Sequence, residues 1–287
     1  LLGQLHEIEG DGQAAIASYE QSLEKAPRGA EPLGALTRVL VLGGDTAGAK
    51  ARLDTMIAAF PDHSIALNLL AEIELSERDF ASAGELASRA IGTSPSWWVP
   101  YRTKALAAAG AGDMVAAREA YVAGLAATGD APALGVDLAA LLERLAQPEE
   151  AIEVYQRLHA ANPSSELLAN NLAMLLTTYR SDPTSFDRAY DLVRSFRNSD
   201  VPAFLNTYGW VRYKQGNLDE AVTYLRRAAA DAPENPVMRY HLGMALLERG
   251  EVEAARAELG AAVAAEQGFV GKDEARKALQ ALGDAQG

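Results

Sequence analysis

Apolar residues recur along this chain with a helical period that is broken at regular intervals. In NTYGWVRYKQGNLDEAVTYLRRAAADAP, residues 206–233, an aromatic-rich half precedes Gly216-Asn217, and an apolar-periodic half runs on to Pro233. Three positional series make this stretch one copy of something repeated. Ala15, Ala49, Ala83, Ala117 and Ala151 stand 34 residues apart, and the series resumes at Ala189, Ala221 and Ala255. Twelve positions ahead of most of these sit Gly3, Thr37, Ala71, Ala105, Ala139, Gly209 and Gly243. Pro27, Pro61, Pro95, Pro163 and Pro233 close the units, with Gly129 at the missing node. A turn lies between the two small-residue series: Gly10-Asp11, Gly44-Asp45, Arg78-Asp79, Gly112-Asp113, Gly216-Asn217 and Gly250-Glu251.

Each series has a physical reading. Glycine after a helix supplies the left-handed cap, and the Asp or Asn that follows can cap the next helix. Small residues at two facing positions let paired helices approach closely. Proline stops the second helix. The unit is therefore an antiparallel helix pair, A then B. Eight copies are expected, at about 1–29, 30–63, 64–97, 98–131, 132–165, 166–201, 202–235 and 236–269, with a final capping helix over 272–283. Copy six departs. Ala151 to Ala189 is 38 residues and Ala189 to Ala221 only 32, so an insertion of about four residues is expected near 179–186, at the A–B turn. Nothing ahead of Leu1 covers the first pair, and the chain is expected to be part of a longer protein.

The pattern resembles the tetratricopeptide-repeat family. Tyr208-Gly209, Gly216, Ala221, Ala228 and Pro233 carry the resemblance in one copy, Leu242-Gly243, Gly250, Ala255 and Ala262 in the next, and Leu2-Gly3, Gly10, Ala15, Tyr19 and Pro27 in the first. It implies an all-α fold, a right-handed α-solenoid whose A helices line a concave groove that binds segments of other proteins. Asn170-Asn171-Leu172-Ala173, Tyr208-Gly209-Trp210 and Tyr240-His241-Leu242-Gly243 also resemble the last repeats of bacterial members tied to exopolysaccharide export and exosortase-linked sorting. That likeness implies a scaffold at the cell envelope, with the periplasm favoured and the cytoplasm as the alternative.

Composition narrows the field. Apolar residues make up 49% and aromatics 7%, which favours closely packed helices over a β-sandwich. A net charge of −13 makes nucleic acid and anionic membranes poor partners. The absence of cysteine removes disulfides, thiolate chemistry and cysteine-held metals. No apolar run reaches the ~18 residues that a membrane-spanning helix needs. Gly43 to Lys50 has the glycine spacing of a phosphate loop, but Ala49 stands where lysine should be. His6, His63, His159 and His241 do not pair at metal-ligand spacing. No catalytic residue, metal or cofactor is expected.

On the family pattern the groove positions are Arg38, Asn68, Glu72, Arg102, Asp137, Asn170, Met174, Asn206, Trp210, Tyr213, Lys214, Tyr240 and Met244. Asn68, Asn170 and Asn206 recur at equivalent places. Such a row could hold an extended peptide backbone, or could simply be tolerated on a wet helix face. Trp210, Tyr213, Tyr240 and Met244 supply apolar anchors, with Lys214 and Asn206 beside them. The family's carboxylate clamp is missing: the matching sites hold Asn68, Arg102 and Asp137, or Asn170, Asn206 and Tyr240. Trp97-Trp98 reads as a staple ahead of a helix or as a contact patch. The expected partner-binding set is Asn68, Arg102, Asn170, Asn206, Trp210, Tyr213, Lys214, Tyr240 and Met244. Two functions follow: a non-catalytic scaffold for a protein or peptide partner, or a substrate-recruiting region of a larger enzyme such as a glycosyltransferase.

Overall fold

The computed structural model describes residues 2–284; Leu1, which opens the first expected copy, and residues 285–287 lie outside the described part. Among the described residues are seventeen α-helices, one 3-10 helix and no strand. The chain forms two compact units, one reaching to Leu141 and one starting at Leu142.

In the first unit α1 (Leu2–Ile8) pairs with α2 (Gly12–Lys25), α3 (Ala30–Leu42) with α4 (Thr46–Ala59), α5 (Ser64–Ser76) with α6 (Phe80–Thr93), and α7 (Val99–Gly110) with α8 (Met114–Thr128). The division falls inside α9 (Pro132–Arg144), which precedes α10 (Pro148–Ala161). In the second unit α11 (Glu166–Tyr179) pairs with α12 (Pro183–Val193), α13 (Pro202–Lys214) with α14 (Leu218–Asp231), and α15 (Pro236–Glu248) with α16 (Val252–Ala264), before α17 (Lys272–Asp284).

The local chemistry of each pair is the one the repeat demands. Gly10, Gly44, Gly112, Gly216 and Gly250 take φ between 77° and 89° at the A–B turn, a region open to glycine at no steric cost. Arg78 (φ 66°) and Ala146 (φ 56°) adopt it with a side chain. Asp11, Asp45, Asp79 and Asp113 each accept the backbone N–H three residues on, at 2.9–3.1 Å. Each such cap contributes about 1 kcal/mol. The later turns differ: Asn217 and Glu251 make no side-chain cap bond.

The small residues sit where helices cross. Ala15, Ala49, Ala83, Ala117, Ala151, Ala189, Ala221 and Ala255 have no exposed surface. A Cβ on Gly209 would lie 2.7 Å from Leu225 Cγ, and one on Gly243 equally close to Leu259 Cγ. The crossings are filled to contact.

Copy six corrects one expectation. Its four additional residues do not lengthen the turn. Arg180–Asp182 is as short as Gln215–Asn217. Instead α12 starts six residues before Ala189, where α14 starts three before Ala221, and α11 runs one residue further than α13. The cause is local. Arg180 is extended (φ −115°, ψ 151°) rather than left-handed, and Asp182 caps a helix that begins on Pro183. The added turn buries Ser185, which donates to Asp182 at 2.8 Å. At its other end α12 tightens into a 3-10 helix, Arg194–Asn198, whose Phe196 stacks on Phe204 at 4.5 Å.

The last helix, α17, packs against α16 and α15. Its buried contact is Ala275, with Leu279 half-covered beside it. Arg256 of α16 donates to the Leu282 carbonyl at 2.9 Å.

Candidate functional site: a pocket on the A helices of the second unit

Several expected groove residues are joints between neighbouring A helices. Asn68 is 2% exposed: its Oδ1 accepts from Thr103 at 3.0 Å and its Nδ2 donates to Glu72 at 2.9 Å. Asn170 Oδ1 accepts from Thr207 at 2.7 Å, and its Nδ2 donates to Asn171 at 3.1 Å. Asn206 is 5% exposed, with Oδ1 3.0 Å from His241 Nδ1. Each amide ties one repeat to the next. The row expected to hold a peptide backbone holds the solenoid instead, because a buried amide must be bonded and the partner available is one repeat ahead.

The aromatic anchors need the same correction. Trp210 is only 3% exposed. Its ring stacks on His241 at 3.9 Å and on Tyr213 at 4.7 Å, and leans on Tyr240 at 5.6 Å. Its Nε1 is buried without a hydrogen-bond partner. Tyr240 is buried too; it touches Phe269 at 5.7 Å and donates its hydroxyl to Glu274 at 2.6 Å. Met244 is half-buried against the same core. These rings are the core of copies seven and eight. Their inner edges form a wall.

Beside that wall lies a pocket of about 520 Å³. Its lining comes from Glu143 of α9, Tyr155 of α10, Asn171, Met174, Leu175 and Thr178 of α11, Trp210 and Lys214 of α13, and Val237, Tyr240 and His241 of α15. The segment 267–271 and Glu274 of α17 close it. The segment is held in place: Lys272 donates to the Ala265 and Gln267 carbonyls. Gly271 takes φ 99°, and a Cβ there would strike the Tyr240 ring at 2.4 Å.

Of the expected set, Trp210, Lys214 and Tyr240 converge on this pocket. Tyr213 supports it from behind the indole. Asn68 lies in the first unit, as does Arg102, whose Nε donates to Asp137 at 2.6 Å. Trp97 and Trp98 are half-buried around the start of α7. Sequence reasoning missed Glu143, Tyr155, Asn171, the 267–271 segment and Glu274. Gly268 and Gly271, close together ahead of a capping helix, were the available signal.

The electrostatics are set by burial. His241 is held neutral, its pKa pushed down to about 3, first by desolvation and then by the nearby Lys214 charge. With Asn206 Oδ1 as acceptor, the ring proton belongs on Nδ1. Burial raises the Tyr240 phenol and then the Glu274 hydrogen bond raises it further; for Tyr213 burial also leads, followed by Glu248. Burial lifts the Glu143 carboxyl, offset in part by the Tyr179 hydroxyl bonded to it at 3.3 Å. Lys214 lies over the Trp210 ring at 4.9 Å and the Tyr213 ring at 6.0 Å. Among the described residues no group of three or more His, Asp or Glu is placed to hold a metal.

Stacked helical hairpins with a pocket on their A-helix side define an α-solenoid repeat protein. Models described as the tetratricopeptide repeat match residues 8–73, 132–175 and 212–283, more than half of the chain, which belongs to that family. The Protein FlbA of Caulobacter vibrioides is 26% identical over 223 residues, 77% of this chain and 37% of FlbA. The chain thus spans little more than a third of that relative. Among solved structures, a chain of the APC/C hetero-tetramer Cut9-Hcn1 superposes with a TM-score of 0.59 at 15% identity, over 94% of this chain and 52% of that one. A tetratricopeptide repeat protein from Parabacteroides merdae gives 0.57 at 15% identity, over 93% and 99%. At such identity these structures speak for the fold.

Proposed function

We propose that the chain is a non-catalytic interaction scaffold that receives a segment of a partner protein in the pocket of its second unit. The observation that carries this reading is the convergence of four A helices, α9, α11, α13 and α15, with α17 on one 520 Å³ pocket whose floor is aromatic. Two pairs of its polar groups are bonded to each other, the Tyr240 phenol to the Glu274 carboxylate and the Asn171 amide to the Tyr155 hydroxyl. That suits recognition, which needs fixed shape and few directed polar groups.

The finer reading places the scaffold at the bacterial envelope, in exopolysaccharide export. Support comes from the phrases around Asn170, Tyr208 and Tyr240 in the last repeats. A substrate-recruiting region of a larger enzyme is the competing reading, and the chain's 37% share of FlbA is compatible with it.

The test uses a substitution at the rim that spares the core. Thr178 is exposed and lines the pocket, so Thr178→Trp blocks it from outside. The parent chain, immobilised and exposed to extract of the source cells, should retain a protein that the blocked variant loses. Equal retention by both would place the partner site elsewhere.

A further inference from the structure

We infer that the pocket takes the guanidinium of an arginine carried on the partner segment; this rests on the pocket being the partner site. Two carboxylates, Glu143 and Glu274, face the pocket from different helices. Each is bonded by a tyrosine hydroxyl, Tyr179 for Glu143 and Tyr240 for Glu274. Neither has a basic partner among the described residues, although many carboxylates elsewhere in the chain do, such as Glu7 with Arg38 and Glu220 with Arg212. Glu143 is also half-buried, so its charge is partly stripped of water with no cation in return.

The one basic side chain lining the pocket, Lys214, does not fill that role. Its ammonium rests on the Trp210 and Tyr213 rings, and it forms no ion pair with either carboxylate. Two carboxylates against one ammonium leave the site net negative, in a chain of net charge −13 that attracts basic segments. The same pocket is lined by the rings of Tyr155, Tyr240 and Phe269. A flat head with five donors can donate to a carboxylate edge while its face lies on an aromatic ring. A lysine ammonium is more strongly hydrated and is expected to bind less well. An acidic side chain could reach Lys214 only by standing against two carboxylates.

The experiment follows the Trp210 indole N–H by heteronuclear NMR in the full chain. Trp97→Phe and Trp98→Phe identify its peak by elimination among the three tryptophans. The probes are short blocked peptides of one apolar sequence with a central arginine, glutamine or glutamate. The arginine peptide should move the peak and bind most tightly. Glu143→Gln combined with Glu274→Gln should weaken it by about tenfold, the scale of losing a charge-assisted pair, and leave the glutamine peptide unaffected. If the glutamate or glutamine peptide moves the peak and the arginine peptide does not, the arginine assignment is overturned and the site stands. The assignment also falls if the arginine peptide binds the double variant as tightly as the parent. If no peptide moves the peak, both the assignment and the pocket as partner site are overturned.

Discussion

The two units use one repeat and join it differently. In the first, A helices are tied by small polar residues and ion pairs: Thr103 to Asn68 at 3.0 Å, Arg102 to Asp137 at 2.6 Å, Arg38 to Glu7 at 2.9 Å. In the second, Thr207 to Asn170 at 2.7 Å repeats the polar joint once, and the joint after it is an aromatic stack, Tyr213 on Trp210 on His241, extended through Tyr240 to Phe269. Asn68 with Thr103 and Asn206 with His241 occupy the same register, and both pairs are 35 residues apart. A hydroxyl closes the first joint. An imidazole closes the second, and its ring becomes a shelf on which an indole and then a pocket can be built. The repeat supplies the spacing, and the residue chosen at one position decides whether an aromatic stack can form on the face.

That difference can be broken at its centre. Trp210→Ala should cost the second unit about 3–5 kcal/mol, the usual range for a buried aromatic. It should lower that unit's unfolding midpoint in urea or unfold it outright, because Trp210 is core. Asn68→Ala, which removes the polar joint of the first unit, should cost about 1–3 kcal/mol, because the bonds from Thr103 and to Glu72 both go while Thr103 keeps the Val99 carbonyl at 3.3 Å. A larger loss from Asn68→Ala than from Trp210→Ala would reverse the comparison.

Packing at the crossings gives a second, smaller effect. Ala221→Leu should overpack α13 against α14 by about 1–3 kcal/mol. Ala117→Leu should do the same for α7 against α8. Unchanged melting in both would contradict the assigned register.

Acid separates the units more finely. His241 has its folded pKa depressed to about 3 from the ordinary 6.5. The unfolded chain therefore takes up a proton below pH 6.5 that the folded chain refuses. The stability of the second unit is at full strength above that pH and falls as pH drops toward 3, by about 1.4 kcal/mol per unit. His241→Gln should flatten the slope in urea titrations at pH 7, 6 and 5. A parent and variant with parallel slopes would remove His241 as the cause.

The smallest effect is at the caps. Asp113→Ala should cost about 1 kcal/mol because Asp113 accepts the Ala116 N–H at 2.9 Å. Asn217→Ala, at the same place in copy seven, should cost a few tenths or less, since Asn217 makes no side-chain cap bond. Thermal melts of the two variants check this.

The all-helical fold was legible from residue order. Gly and Asp at the turn, alanine at the crossing and proline at the end act within a few residues of where they stand. The eight alanines are buried without exception. Tertiary structure decided the rest. Asn68, Asn170 and Asn206 look like ligand hooks in a linear sequence, and only their neighbours one repeat away show that their Oδ1 atoms are already bonded. The same holds for the phrases around Tyr208 and Tyr240. Their residues are buried and bonded within and between repeats, so shared wording there reports shared packing before it reports a shared partner. The insertion near 179–186 was visible as a count, but whether it becomes loop or helix depended on the backbone of Arg180 and a start on Pro183. The pocket itself brings Glu143 and Glu274 together across 131 positions of chain. A 34-residue period encodes contacts within a copy and to the next. It carries no information about a cavity spanning several copies, because that depends on how side chains of different size accumulate along the stacked helices.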